Sequence, residues 1–239
     1  MNTNKCTAKR YLVLFGLLAC SSLVFSQVPF KLFTSNGLTD NEYNQLEQAF
    51  GQHKIILPQF RQQILIALSY FPELKNISIE FRIKHTRTPL QTIPNTISIF
   101  KKSHARKYII TISDSTMGML TPILLKNLNF NAQVGVLGHE LSHVSDFNNK
   151  HTLGLLATGI KHISSKWIDR FEYRTDSICI AHGLGYQLLE WSMAVRKAMN
   201  SPDYDGADNV EKPMLRERYM NPSTIIKRIE LNPIYKTVH

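Results

Sequence analysis

The stretch from Asn131 to Phe147, Asn-Ala-Gln-Val-Gly-Val-Leu-Gly-His-Glu-Leu-Ser-His-Val-Ser-Asp-Phe, decides the fold. Val134, Leu137, Leu141 and Val144 recur at helical spacing, and Asn131 is a residue type suited to capping the start of the helix. Gly135 and Gly138 each cost about 1 kcal/mol against Ala in a helix, which predicts the close approach of a neighbouring element. The helix carries His-Glu-x-x-His at His139, Glu140 and His143. Residues i and i+4 leave the same face, so both imidazoles can bind one metal ion. Glu140 is turned about 100° away from His139, within reach of an attacking water without being a ligand itself.

Two histidines leave a zinc site short of a ligand, because catalytic zinc normally takes three protein ligands. Glu172-Tyr-Arg-Thr-Asp176 supplies a second i, i+4 pair downstream, on a helix expected from Ile168 to His182 and closed by Gly183. Glu172 would complete the ligand set, and Asp176 would accept the outer ring N–H of a ligating histidine. His151 and His162 are the competing third ligands. The metzincin pattern does not fit, since it needs Gly at 146 and His at 149, where this chain has Asp146 and Asn149.

With these residues placed, the chain resembles the gluzincin metallopeptidases, in particular the group around the CAAX prenyl protease and HtpX. The match is carried by Asn131 to Asp146 and by Glu172 to Gly183, Glu-Tyr-Arg-Thr-Asp-Ser-Ile-Cys-Ile-Ala-His-Gly, and extends loosely from about residue 58 to 200. The resemblance implies a zincin-like α+β fold, a small antiparallel or mixed sheet with an active-site helix and a helical C-terminal half. It also implies Zn2+ held by His139, His143 and Glu172, Glu140 as general base, Asp176 behind the ligands, and a peptide or protein substrate. Two departures stand out. Thr175 replaces the Ala common in the group, and Asn221-Pro222 only echoes its C-terminal His-Pro pair. Tyr219, Arg218 and His182 are the candidates for stabilising an oxyanion, Tyr219 foremost. The alternative is a non-catalytic envelope protein that uses the zinc site for structure or partner binding.

The N-terminus predicts export. Lys5, Lys9 and Arg10 precede an apolar run from Tyr11 to Phe25, and Val24-Phe25-Ser26 offers a cleavage site before Gln27. Residues 1–26 then form a signal peptide and 27–239 a single domain, periplasmic or secreted. Leu17-Leu18-Ala19-Cys20 resembles a lipobox, a second route that would anchor the chain through Cys20. The 239 residues carry a net charge of +10; losing three basic and no acidic residues with the leader leaves +7. Only Cys179 remains, so no intrachain disulfide forms. An exported chain with no nucleic-acid motif argues against a nucleic-acid partner. A surface of +7 suits peripheral contact with anionic envelope lipid, although an ordinary solvated basic surface accounts for it as well.

Residues 27–38 read as a loose lead-in. Helices are expected from Thr39 or Asp40 to Gly51, and from Pro58 until Pro72 ends the pattern. Strands are expected over Ile77–His85, Asn95–Phe100 and Tyr108–Ser113, the last at the cleft edge where an extended peptide could pair. Lys101, Lys102, His104, Arg106 and Lys107 read as a solvated basic turn. A short helical piece over Ile123–Leu128 leads into the central helix. Residues 151–162 are too short for a membrane span and read as a helix or loop covering the site. Leu184–Met199 is a further helix, Ser201–Lys212 an exposed loop, and Asn221-Pro222 opens a last helix to about Ile229.

Overall fold

The computed structural model describes residues 28–116, 118–161, 165–200 and 218–236. The predicted central helix is α3, Phe130–Asn148. Its cap is Asn129, whose side chain accepts from Ala132 N, rather than Asn131. Asn131 is the second residue of the helix and is buried, with its side-chain oxygen accepting from Phe33 N at 2.9 Å and from Gln187 Nε2 at 3.1 Å. The helix therefore begins earlier than the apolar pattern suggested. It is buried on every face from Asn131 to Ser145, so the Val134–Val144 stripe marks only one of several packed sides.

Helices surround it. α1 (Asp40–Phe50) starts at Thr39 with a capping box closed by Glu42, and α2 (Arg61–Ser69) follows a 3-10 turn begun by Pro58. α2 packs on one side of α3. α4 (Thr152–Lys161), α5 (Ser165–Ala181) and α6 (Gly185–Ala198) follow α3, and α7 (Pro222–Leu231) packs on α6 and α5. The predicted close approach is that of α6 and the residue before it. A Cβ at position 135 would stand 2.1 Å from the carbonyl oxygen of Gln187, and one at 138 would stand 2.5 Å from Leu184 Cδ1. Gly183, at φ 96°, makes the left-handed turn between α5 and α6. No helix of the described residues is long and apolar enough to cross a membrane.

The sheet is mixed, in the order β1 (Lys54–Ile55), β2 (Ser78–Ile83), β4 (Lys107–Ile112), β3 (Leu90–Pro94). β2 runs parallel to β1 and β4, and β3 runs antiparallel to β4 with Thr92 opposite Ile110. Ile79, Phe81, Tyr108, Ile110 and Ile112 join the helices in one core. The molecule is thus α+β with a mixed four-stranded sheet and a helical C-terminal half.

Several expectations change. β4 has neighbours on both sides, so it cannot take an added peptide; the outer strand on this side is β3, which packs on α3. Asn95–Phe100 is not a strand but a 3-10 turn, Thr96–Phe100. Asn95 caps it through Ser98 N, and the Ser98 hydroxyl donates to Asn95 O while accepting from Lys107 N. Such local side-chain bonds compete with a strand ladder. Residues 28–33 are strapped down rather than loose, since Val28 O accepts from Tyr70 Oη and Phe30 O from Gln187 Nε2. Arg106 is not solvated at all. It is 3% exposed and donates to Lys101 O, Phe147 O and Lys150 O, satisfying carbonyls at the end of α3. The expected signal peptide and the Ser201–Lys212 loop lie outside the described residues.

Candidate metal centre

α3 and α5 lie side by side, and their two i, i+4 pairs meet. The ligand atoms of His139, His143 and Glu172 all fall within 4.8 Å of one another. Glu172 Oε2 stands 3.1 Å from His139 Nε2 and 3.2 Å from His143 Nε2.

The outer ring nitrogens show which way these imidazoles are set. His139 Nδ1 is 2.8 Å from Asp176 Oδ1, a carboxylate oxygen that accepts the Nδ1 proton. The other oxygen of Asp176 accepts from Met220 N at 2.7 Å, so the carboxylate is fixed from two sides. Thr175 donates its hydroxyl proton to Phe171 O at 3.0 Å. With its proton committed, Thr175 Oγ1 can only accept from His143 Nδ1, which lies 3.2 Å away. Both imidazoles therefore carry a proton on Nδ1 and point Nε2, the atom free to ligate when neutral, toward Glu172. Three such atoms converging in a buried space repel one another unless a proton or a metal cation stands among them. Two imidazole nitrogens and a carboxylate oxygen are a donor set that zinc takes, with room for a further ligand. The residues present fit the ion.

Without an ion, a proton on His139 fills that place. Burial works against a charge on His139, yet the carboxylates of Asp176 and Glu172 outweigh it and hold its pKa well above 6.5. Burial likewise works to raise Glu172, but His139 and His143 prevail and hold its carboxyl far below the usual carboxylate range. Rings fix the imidazoles laterally. Phe171 stacks on His143 at 4.9 Å, while Trp191 and Tyr219 stand 5.4 and 5.6 Å from His139. Asp146 is paired with Lys150 at 2.5 Å and with Arg174 at 3.1 Å, tying the end of α3 to α5.

Glu140 is buried beside the cluster but outside it. Its Oε2 accepts from Thr92 Oγ1 at 2.6 Å, and the other carboxylate oxygen carries no hydrogen bond among the described residues. Tyr219 is at the site and 42% exposed. Desolvation of its hydroxyl, then the carboxylates of Glu172, Glu140 and Asp176, push its pKa far up, so it stays a neutral donor. Arg218 lies next to it but pairs with Asp169 at 2.9 Å. His182 is elsewhere, paired with Glu73 at 3.0 Å and stacked on Phe71, so it leaves the candidate list. His151 is exposed and is not part of the cluster, and His162 lies outside the described residues.

Thr92 and Trp191 were not legible as site residues. Thr92 reaches Glu140 across 48 positions of sequence, with no local pattern to mark it. The Thr175 departure, in contrast, was visible and has a role here: it supplies the acceptor for His143. Compared with family models, curated proteins and solved structures, the chain matches none of them, and the site is read from its own geometry.

Proposed function

We propose that the protein is an exported zinc-dependent endopeptidase with a zincin-like fold, akin to the gluzincins of the CAAX prenyl protease and HtpX group. The observation that carries this reading is the convergence of His139 Nε2, His143 Nε2 and Glu172 Oε2 with an uncoordinated Glu140 beside them. His139, His143 and Glu172 would hold the ion, which when bound supplies Lewis acidity to a peptide carbonyl and to a water.

The chain's own residues do the rest. Thr92 holds one oxygen of Glu140, leaving the other to take the proton of the water that attacks the carbonyl carbon. As the C–N bond breaks, Glu140 returns that proton to the departing amine nitrogen. Tyr219, kept protonated, donates to the carbonyl oxygen as it gains charge. Asp176 and Thr175 keep the two imidazoles in the required tautomer. The outer strand β3, which carries Thr92, is the edge along which an extended peptide would lie.

Glu140→Gln tests the reading. The amide keeps the size of the side chain and its bond to Thr92 but cannot take a proton at neutral pH. Cleavage of a peptide library by residues 27–239 should fall by at least about a hundredfold, with zinc content and melting temperature kept. Equal activity within a few-fold contradicts the assigned role. An inactive wild type that still holds one zinc per chain would favour the non-catalytic reading. Intact-mass measurement of the exported form tests the leader: a start at Gln27 is expected, and an acylated start at Cys20 would show a lipoprotein instead.

A further inference from the structure

The surface that follows β3 is basic. From Asn95 to Ser113, and again from Phe147 to Ile168, there is no Asp or Glu. Within these stretches three large apolar side chains face solvent: Ile97 at 80%, Phe100 at 74% and Leu153 at 80% exposure. In a 3-10 turn residues i and i+3 eclipse, so Ile97 and Phe100 share one face of Thr96–Phe100, while Ser98 is buried and Ile99 packs against the core. One knot of hydrogen bonds ties this turn to the start of α4. Thr152 Oγ1 donates to Ile99 O at 3.1 Å, and Arg106 donates to Lys101 O, Lys150 O and Thr152 Oγ1. Leu153 follows directly on the knot. Lys101 and Lys102, which follow Phe100, are exposed, and neither is in an ion pair among the described residues.

Apolar residues this exposed beside unpaired lysines are not explained by a solvated turn. We infer that the Thr96–Lys107 connection and the first turn of α4 form a docking surface for an anionic lipid bilayer. Ile97, Phe100 and Leu153 enter the interface, and Lys101 and Lys102 meet the headgroup phosphates. Lipid fits both halves of the surface, because binding there grows with buried apolar area and with attraction of basic groups to anionic headgroups. A second copy presenting the same patch would set lysine against lysine. Docking needs no metal and is independent of the endopeptidase reading. It would, however, bring the surface next to β3, and so the site, close to the membrane.

The test is co-sedimentation of residues 27–239 with vesicles of phosphatidylethanolamine and phosphatidylglycerol, against vesicles of phosphatidylcholine alone. Binding to the anionic vesicles is expected, weakened by added salt. The combined variant Ile97→Ser, Phe100→Ser, Leu153→Ser should bind at least about tenfold more weakly, as should Lys101→Glu with Lys102→Glu. Ile55→Ser, which removes an equally apolar exposed side chain on β1, should bind as wild type, and so should Glu140→Gln. Thermal melts check that each variant is folded. The inference is overturned if the wild type leaves anionic vesicles unbound or if Ile55→Ser weakens binding as much as the triple variant. It is also overturned if the triple serine variant binds like wild type, or if it instead abolishes self-association measured without lipid.

Discussion

Two clusters of histidine and carboxylate join α3 to α5 and its end, and they differ in where their protons point. In the first, Asp176 and Thr175 occupy the outer nitrogens of His139 and His143, so both Nε2 atoms face Glu172. In the second, Glu73 Oε1 accepts from the Ser145 hydroxyl at 2.7 Å and from His182 Nε2 at 3.0 Å, while His182 Nδ1 lies 2.8 Å from Ile178 O. Both ring nitrogens of His182 face acceptors, and no second imidazole among the described residues stands beside it. The first cluster brings two imidazole nitrogens and a carboxylate to one point; the second brings a single imidazole. A histidine near a carboxylate is thus no guide to a metal site until the partners of both ring nitrogens are known.

The largest expected effect on this contrast comes from Asp176→Ala. It strips a buried acceptor from both His139 Nδ1 and Met220 N. Leaving such groups unpaired costs about 1–3 kcal/mol each, and zinc affinity should fall about 10- to 100-fold. Denaturant unfolding and competition with a chelator measure the two effects. Zinc affinity unchanged by this variant would remove the tautomer argument.

Thr175→Val is gentler. It keeps the shape but removes the acceptor of His143 Nδ1, so stability should drop by about 1 kcal/mol and zinc affinity by less than with Asp176→Ala. A variant that binds zinc as well as wild type would show that the hydroxyl merely fills space where the resembling group often has Ala.

Glu73→Gln should leave zinc affinity untouched and act only on stability, with a pH signature. Burial works to raise the Glu73 carboxyl, but its bonds from His182 and Ser145 hold its pKa below 4.5. Burial works to lower His182, but Glu73 and the Ile178 carbonyl hold it above 6.5. The Glu73 contribution is complete above about pH 4.5 and lost as pH falls through its lowered value. That of His182 is complete below about pH 6.5 and lost as pH rises through its raised value. The pair therefore stabilises most between these limits, by about 0.5 kcal/mol, since the partly open geometry is screened by water. Melting temperatures of wild type and variant across pH should differ most in that window. A zinc affinity altered by Glu73→Gln would merge two clusters that the structure keeps apart.

The candidate metal cluster was legible because its residues come in i, i+4 pairs on two helices, where spacing alone puts side chains on one face. The second cluster was not, since Glu73 on a turn meets Ser145 and His182 only after folding. β3 was not anticipated: Pro89 and Pro94 bracket Leu90–Ile93 and obscure a strand pattern, whereas an outer strand tolerates Pro at its end. The Asn95–Phe100 alternation then misled, because Ile97 and Phe100 point to water rather than to a core. Arg106 looked like one more surface charge until the carbonyls at the end of α3 were found around it.

Zinc-edge X-ray absorption on protein purified without chelator tests the central claim most directly. The account predicts one zinc per chain, with two imidazoles and otherwise oxygen ligands in a first shell at about 2.0–2.2 Å. In Glu172→Gln the zinc should be held more weakly. A chain that retains no zinc even on titration would contradict the account. So would a first shell with sulfur, or one with three imidazoles that is unchanged in Glu172→Gln.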